Sequence, residues 1–259
     1  MKDKQTYYYS SLDDEVSLET LEEIKIDENY KYIPTNPFVK FFSFIYYRFI
    51  IFPIAFLYCK FFKRIKYENK KILKKAKKTG YFIYGNHTHS ISDAFSPSII
   101  TPTKKPYIIV NSKNLNLPII KKSTKHLGAL PLPNSITATK NFMKALEEKI
   151  LAKHPIIIYP EAKIWPCFTG LTNFKIASFK YPVKFNVPCF TYTTTYQKTK
   201  KNKCKMVIYV DGPFYPDTSL SIKEKEQDLY KKVYSKMKER TSLSNFETHN
   251  YIYRENTNV

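Results

Sequence analysis

The chain has 259 residues, with 43 Lys and Arg against 22 Asp and Glu, so its formal net charge is +21. A hydrophobic fraction of 43% and an aromatic fraction of 16% exclude a disordered or fibrous chain. The five glycines exclude a G-x-G-x-x-G dinucleotide loop, because no two of them stand two residues apart. The basic balance favours anionic partners: nucleic acid, an anionic membrane surface, phosphorylated substrates or an acidic carrier protein.

The N-terminal segment is the acidic exception. Residues 1–30 contain nine Asp and Glu against three Lys, which predicts an acidic extension over residues 1–34 with little regular structure. No basic stretch followed by an apolar core, the pattern of a secretory signal, is visible at its start. The four cysteines show neither C-x-x-C pairs nor zinc-ligand spacing, which is typical of thiols in a reducing compartment.

An apolar segment and a basic segment follow. Residues 41–59 are apolar or aromatic except for Ser43 and Arg48, and residues 60–78 contain ten Lys and Arg and one Glu. Arg48 would cost about 2.5–3.5 kcal/mol at the centre of a bilayer, which favours interfacial or re-entrant attachment over a span. We predict a pair of membrane-associating helices over residues 35–79, held to an anionic leaflet by the basic residues. The alternative is a buried helix followed by a solvated basic helix.

From residue 80 onward, short apolar runs alternate with helix-like stretches. The runs predict strands at Tyr81–Tyr84, Tyr107–Val110, Pro155–Tyr159, Pro188–Tyr196 and Lys205–Val210. The stretches between them predict helices at Ala94–Ile100, Lys113–Leu127, Ile136–Leu151, Phe174–Tyr181 and Ile222–Glu239. This alternation indicates an α/β domain over residues 80–240, with a mixed, largely parallel sheet flanked by helices. Residues 241–259 are predicted to form a polar tail.

The first predicted strand leads into the segment GNHTHSISD, residues 85–93. Functional groups of parallel sheets gather at the carboxyl ends of the strands, where His87 is placed. A histidine beside a carboxylate such as Asp93 forms a general-base pair that suits activation of a hydroxyl. Two other interpretations remain open: loop histidines bonded to backbone, and a metal site of His87, His89 and Asp93. His89 also competes with His87 for the role of base.

This segment resembles the N-H-x-S-x-x-D motif of the glycerolipid acyltransferase family, which includes bacterial 1-acylglycerol-3-phosphate acyltransferases. The family places four residues between His and Asp, whereas five separate His87 from Asp93. One inserted residue reconciles the two halves of the motif, and Asn86 precedes His87 as in the family.

A second block, YPEAKIWP at residues 159–166, resembles the family's F-P-E-G-T-R-S. Its Pro-Glu pair matches at Glu161, but Ala162 replaces Gly and Lys163 replaces Thr. Ile164 stands in place of the Arg that helps the family to hold the acceptor's phosphate. We therefore expect Lys163 to supply that cation, as a point charge rather than a bidentate fork.

Three further matches stand in the family's order. Gly128, followed by Ala129-Leu130, resembles the G-x-[IV] strand start, although the family's Arg a few residues later is missing. Phe174-Lys175 resembles the F-K pair downstream of the second block, and Val187-Pro188 resembles the V-P pair that opens a strand. Together the matches cover about residues 80–215.

The resemblance implies the acyltransferase α/β fold, attached to the cytoplasmic face of a membrane. The implied reaction moves a fatty acyl group from a thioester or acyl-phosphate donor to a lysophospholipid hydroxyl, with 1-acylglycerol-3-phosphate as the expected acceptor. No metal or other cofactor is implied, because acyl-CoA, acyl carrier protein or acyl phosphate serves as co-substrate. The implied catalytic residues are His87 and Asp93, and the implied substrate-binding residues are Asn86, Gly128, Glu161, Lys163 and Lys175.

Two other functions remain open. The stretched His-to-Asp spacing and the lost Arg are also compatible with a non-catalytic protein that binds anionic membranes. A basic nucleic-acid-binding protein is less well supported, because its lysines should interleave with exposed aromatics on one face. Here the apolar run stands next to the basic block instead, so no nucleic acid is expected among the partners.

Overall fold

A computed structural model describes residues 4–16, 22–116 and 124–255 of the chain. Its strands are β1 (Thr6–Tyr9), β2 (Lys66–Glu68), β3 (Tyr81–Gly85), β4 (Tyr107–Val110), β5 (Ala129–Pro131), β6 (Pro155–Ile158), β7 (Cys189–Lys198), β8 (Cys204–Phe214) and β9 (Asn250–Tyr253). Its helices are α1 (Pro37–Phe62), α2 (Ser90–Ile100), α3 (Thr124–Leu127), α4 (Ile136–Leu151), α5 (Lys180–Phe185) and α6 (Ile222–Thr241). Short 3₁₀ helices occupy Lys70–Ala76, Ser112–Asn116 and Ile176–Phe179.

Seven strands form the central sheet, in the order β2-β8-β7-β3-β6-β4-β5. Every neighbouring pair is parallel except β7 and β8, which confirms the predicted mixed, largely parallel sheet. Tyr84 near the end of β3 lies opposite Ile158 at the end of β6. The loops that follow these two strands therefore open side by side at the carboxyl edge of the sheet.

The central strands are continuous apolar runs because helices cover both faces of the sheet. Alternate residues of β3 point to opposite faces. Phe82 packs in a cluster with residues of α4 and α6, whereas Ile83 packs in a second cluster with residues of α1 and α2. Both clusters are fully buried at these positions, so β3 is fixed in the middle of the fold and can position the loop that follows it.

The apolar segment folds as one continuous helix, α1, whose residues Tyr46–Ile51 and Tyr58–Phe62 are π-helical. Asn36 caps its first turn and Pro37 occupies the first helical position. One face is buried through Tyr47, Ala55 and Cys59, and the Tyr47 hydroxyl donates to Ser98 Oγ of α2 at 2.8 Å. The opposite face exposes large apolar side chains, among them Phe38, Phe41, Phe42, Phe44, Phe49, Phe61 and Phe62.

The pair of helices predicted over residues 35–79 is wrong in its second member. After α1 the basic segment forms edge strand β2 beside β8, and then the 3₁₀ helix. Asn69 explains the change, because its backbone is left-handed with φ of 58° and its side chain donates to Val210 O at 3.0 Å. A left-handed residue ends β2 and prevents a continuous α-helix through this segment.

The N-terminal extension and the polar tail are also more ordered than predicted. Strand β1 pairs in parallel with β9, so the two ends of the chain form a separate two-stranded sheet. Tyr9 of β1 and Tyr251 of β9 both pack on Trp165, which is only 1% exposed. Further along the extension, Ile26 is fully buried in the core. Burial of these aromatic and apolar side chains orders segments that look polar by composition.

The predicted strands agree closely with the structure, whereas two of the predicted helices differ from it. All five predicted strands are present, and the helix predicted at Ile136–Leu151 has the predicted bounds. The helix predicted over Lys113–Leu127 is replaced by a 3₁₀ helix at its start and α3 at its end, and residues 117–123 lie outside the described residues. The helix predicted at Phe174–Tyr181 begins as a 3₁₀ helix and continues as α5.

Candidate active site

Gly85 ends β3 and permits the close approach on which the site is built. A Cβ at this position would lie 2.2 Å from Cε1 of Tyr192, a fully buried residue of β7. Only glycine therefore allows the Tyr192 ring to lie directly against the end of β3. The chain continues from Gly85 into the extended loop that carries His87.

His87 and Asp93 are brought together at the carboxyl edge of the sheet. Nδ1 of His87 lies 2.8 Å from Oδ2 of Asp93. The Asp93 side chain is 2% exposed, whereas that of His87 is 23% exposed, so the imidazole is open to solvent on one side. Backbone N–H groups of Thr88 and His89 also donate to Asp93 Oδ2, each at 2.9 Å. These three contacts hold the carboxylate against the ring and accommodate the additional residue between His87 and Asp93.

His89 has a different environment. It caps the first turn of α2, where its Nδ1 accepts a hydrogen bond from the Ser92 N–H at 3.3 Å. Burial lowers the pKa of His89 below its usual value of 6.5, and the charge of Lys63 lowers it further. A neutral ring is needed for Nδ1 to accept this bond, so His89 is occupied as a helix cap and contacts Asp93 only through its backbone.

Asn86 and Glu161 are buried beside His87, and their side chains form hydrogen bonds with backbone groups. Asn86 Nδ2 donates to Thr194 O at 3.0 Å, and its Oδ1 accepts from Thr194 N at 2.8 Å. Glu161 accepts from the backbone N–H groups of His87 and Thr172 at 2.7 and 2.9 Å. Neither side chain has the open geometry expected of a substrate contact. We therefore revise both residues from substrate binding to positioning of the His87 loop.

Burial of the Glu161 carboxylate disfavours its charged form. Burial raises the pKa of Glu161 above its usual value, although the hydrogen bonds from His87 and Thr172 oppose this shift. A buried carboxylate is stable only where donors satisfy it. Here the donors belong to the two loops that form the site, so Glu161 links the loop after β3 to the loop after β6.

Tyr159 is a site residue that the sequence analysis did not single out. Its ring stacks on that of His87, with centroids 4.6 Å apart and an angle of 29° between the planes. Its hydroxyl donates to the backbone carbonyl of Asp93 at 2.5 Å and also contacts the Tyr192 hydroxyl. Tyr159 thus touches both members of the His87–Asp93 pair. The available signal was its position directly before the Pro-Glu pair, at the end of a predicted strand.

Lys163 and Lys175 lie on the loop that follows β6, and this loop is fastened to the His87 segment. Trp165 N donates to His87 O at 3.0 Å, and Lys175 N donates to Pro160 O at 2.8 Å. Lys175 Nζ forms an ion pair of 2.8 Å with Asp13 of the N-terminal extension. Hydrogen bonds from Lys175 and Asn173 lower the pKa of Asp13, and the charge of Lys163 lowers it further. Lys175 is therefore paired with an anionic group, and the positive charge of Lys163 acts on the same group.

Gly128 does not belong to this site. It precedes β5, and the register places Ala129 level with Ile108 of β4, with Ile157 of β6 and with Ile83 of β3. At about 3.3 Å per residue, Gly128 is level with the start of β3 and about 16 Å before His87 along the strand direction. The predicted substrate contact is therefore wrong, because parallel strands place Gly128 at the opposite edge of the sheet. Its φ of +96° instead explains the glycine as a turn into β5.

A histidine paired with a buried carboxylate can take a proton from a hydroxyl, and neighbouring lysines can hold an anionic group. This chemistry is suited to transfer of a group to a hydroxyl. The sequence model of the Acyltransferase family matches residues 64–216, which is more than half of the chain. The chain belongs to this family and is an acyltransferase. The matched range contains all seven of the predicted site residues.

The architecture agrees with this assignment. The fold is similar to that in the crystal structure of the 1-acyl-sn-glycerophosphate (LPA) acyltransferase, PlsC, from Thermotoga maritima, with a TM-score of 0.54. The two chains are 16% identical, and the match covers 81% of this chain and 89% of that chain. At this identity the likeness is one of fold. A comparison with curated proteins gives no match.

Proposed function

We propose that this acyltransferase moves a fatty acyl group to the free hydroxyl of a lysophospholipid, with 1-acylglycerol-3-phosphate as the acceptor. The observation that carries the proposal is the contact of 2.8 Å between His87 Nδ1 and the buried Asp93 carboxylate. The carboxylate occupies one ring nitrogen, which leaves the other, Nε2, to meet a substrate on the exposed side.

In the proposed reaction His87 Nε2 removes the proton from the acceptor hydroxyl as the oxygen attacks the carbonyl carbon of the donor. The new ester bond forms, and the bond from that carbon to sulfur, or to the phosphate oxygen of an acyl phosphate, breaks. The departing thiolate or phosphate takes up the proton from the imidazolium. Asp93 stabilises the imidazolium while it exists, and no covalent acyl-enzyme or metal is invoked.

The acceptor's phosphate is assigned to the loop after β6. Lys163 and Lys175 lie on this loop, Lys175 is paired with the Asp13 carboxylate, and the charge of Lys163 acts on the same group. A lysine ammonium binds phosphate as a point charge with three donors. The side chain at position 164, where the family's phosphate-binding Arg would stand, is Ile, so the two lysines replace one guanidinium in this proposal.

We assign a membrane-facing role to α1. It is the one helix among the described residues that is long and apolar enough to cross a bilayer. Its exposed aromatic face and the basic residues that follow it suit the surface of an anionic leaflet. The Tyr58 ring of α1 packs on Phe95 of α2, two residues beyond Asp93. Interfacial attachment on the cytoplasmic side would therefore bring a bilayer-borne acceptor close to the catalytic pair.

The acyl donor is proposed to be acyl-CoA, acyl carrier protein or acyl phosphate. The net charge of +21 would attract each of these anionic donors, including the acidic carrier protein. The experiment supplies each donor with a labelled acyl chain and compares 1-acylglycerol-3-phosphate, glycerol 3-phosphate and lysophosphatidylcholine as acceptors. The proposal predicts label in phosphatidic acid in preference to the other products. Equal transfer to lysophosphatidylcholine would contradict the assigned acceptor.

A further inference from the structure

The acidic N-terminal extension contacts the proposed acceptor site directly. Oδ1 of Asp13 lies 2.8 Å from Lys175 Nζ, and its Oδ2 accepts from Asn173 Nδ2 at 2.7 Å. These hydrogen bonds lower the pKa of Asp13, and the charges of Lys175 and Lys163 lower it further. The Asp13 carboxylate thus stands among the groups that a bound phosphate would need.

The turn that carries Asp13 is fixed by hydrogen bonds of the neighbouring residue Asp14. Asp14 Oδ2 accepts from the Ser10 and Ser11 N–H groups at 2.7 and 3.0 Å, which closes the turn. Trp165 is nearly fully buried, and its Nε1 donates to Asp14 O at 2.9 Å, which fastens the turn to the loop after β6. The turn is therefore held in place by contacts that do not involve the Asp13 carboxylate.

The contact itself is weak enough to be exchanged. The side chains of Asp13 and Lys175 are 44% and 54% exposed, and an exposed ion pair is only marginally stable. A phosphate dianion carries more charge than a carboxylate and offers more acceptor oxygens. The His87 side chain remains partly exposed while the turn is in place, so the turn occupies Lys175 without burying the proposed base.

We infer that Lys175, Asn173 and Lys163 form an anion subsite for the acceptor's phosphate, and that Asp13 occupies it as a tethered internal competitor. The inference rests on the proposed function and adds Asn173 and a regulatory residue to the site. Because the competitor is part of the chain, it is always present beside the site. Asp13 lowers the apparent affinity for the acceptor and leaves the chemical step unchanged. Because the subsite binds anions, only acceptors with a phosphate displace Asp13 effectively.

The first test compares the wild type with Asp13→Asn in acyl transfer to 1-acylglycerol-3-phosphate at fixed mole fraction in micelles. Loss of the competing charge should lower KM for the acceptor about two- to fivefold, with kcat unchanged. In the Lys175→Met background the same substitution should have a smaller effect, because one of the two cations is gone. An unchanged KM would overturn the inference, and a higher KM would show that Asp13 helps to bind the acceptor.

Asp217→Asn is the matched control. Asp217 also holds a turn, through bonds to Ser219, and it follows β8. Phe214 of β8 pairs with Cys189 at the start of β7, so Asp217 lies at the edge opposite to His87. The control removes the same charge and should leave KM unchanged. If it lowers KM as much as Asp13→Asn does, the effect is one of net charge and the inference is wrong.

The second test needs no turnover. Trp165 is the single tryptophan of the chain, and it donates to the turn, so its fluorescence reports on the contact. Glycerol 3-phosphate is the probe, and we expect a saturable change whose midpoint is about two- to fivefold lower in Asp13→Asn. An identical midpoint, or no saturable change in either protein, would overturn the inference. If the probe binds as expected but no acceptor is acylated, the proposed function fails while the anion subsite stands.

Discussion

Substitution of Gly85 by alanine is expected to damage both stability and activity, through a single chain of contacts. The added methyl would lie 2.2 Å from Cε1 and 2.7 Å from Cζ of Tyr192. An ordinary contact is 3.4–4 Å, so the ring has to retreat by roughly 1 Å or more from a close-packed interior. The Tyr192 hydroxyl contacts that of Tyr159, whose ring stacks on His87. Displacement of Tyr192 therefore reaches His87, the proposed general base.

Overpacking of a well-packed core typically costs about 1–3 kcal/mol. Tyr192 is fully buried, so we expect Gly85→Ala to lower the free energy of unfolding by about 3 kcal/mol, at the upper end of that range. We also expect kcat to fall about tenfold, because a displacement near 1 Å disturbs the alignment of reacting groups. Urea unfolding measures the first quantity and steady-state acyl transfer the second.

Two further variants separate the proposed contact from a general sensitivity of the backbone. Tyr192→Leu removes the ring carbons that the methyl would meet, so the double variant with Gly85→Ala should be more stable than the sum of the single effects by about 1 kcal/mol or more. Gly170→Ala is the control, because its methyl would meet only the tip of the half-buried Phe168 ring at 3.0 Å. A cost below about 1 kcal/mol for Gly85→Ala, or strict additivity with Tyr192→Leu, would show that the Tyr192 contact does not cause the loss of stability.

Three other substitutions test separate parts of the site. Tyr159→Phe keeps the ring against His87 but loses the hydrogen bond to Asp93 O. We therefore expect kcat to fall several-fold, as measured by steady-state kinetics. The free energy of unfolding should fall by about 1–2 kcal/mol, as measured by denaturant unfolding. His89→Asn keeps a good helix cap and removes a histidine whose lowered pKa makes the folded state resist protonation. Stability of the wild type should therefore fall relative to His89→Asn as pH drops below 6.5, and not above it. Ala162→Gly relieves a left-handed φ of 61° and should stabilise the protein by about 0.5–1 kcal/mol, seen as a higher Tm.

Each of these predictions has an outcome that contradicts it. An unchanged kcat in Tyr159→Phe would show that the ring alone matters. A stability difference between the wild type and His89→Asn that does not vary between pH 7 and pH 5 would mean that His89 titrates normally when folded. A lower Tm for Ala162→Gly would mean that contacts of the Ala162 methyl outweigh the backbone strain.

The sheet and much of the site were predictable because they depend on local pattern. Apolar runs bounded by turns identify strands such as β3 and β6, and adjacency of their carboxyl ends explains why His87 and Glu161 lie together. The substrate contact predicted for Gly128 was wrong because its motif does not indicate which edge of the sheet the residue occupies. That edge depends on strand direction and register.

The ordered structure of the N-terminal extension and of the polar tail could not be predicted from composition. Order in β1 and β9 comes from packing of tyrosines on Trp165, which lies more than 80 residues away in sequence from either strand. The roles of Asn86 and Glu161 were likewise hidden, because a polar side chain looks the same in sequence whether it bonds substrate or backbone. Such long-range contacts appear only once the chain is folded, which is why the Asp13–Lys175 ion pair had no signal beyond opposite charge.

The proposed role of His87 as the general base for acyl transfer predicts a large loss of rate in the His87→Ala variant. Acyl transfer from a labelled donor to 1-acylglycerol-3-phosphate is measured in matched membranes for the wild type, His87→Ala and His89→Ala. Removal of a general base should cost about 10²-fold or more in kcat, whereas His89→Ala should retain most of the activity. A rate that is unchanged in His87→Ala, or lost only in His89→Ala, would mean that His87 is not the general base.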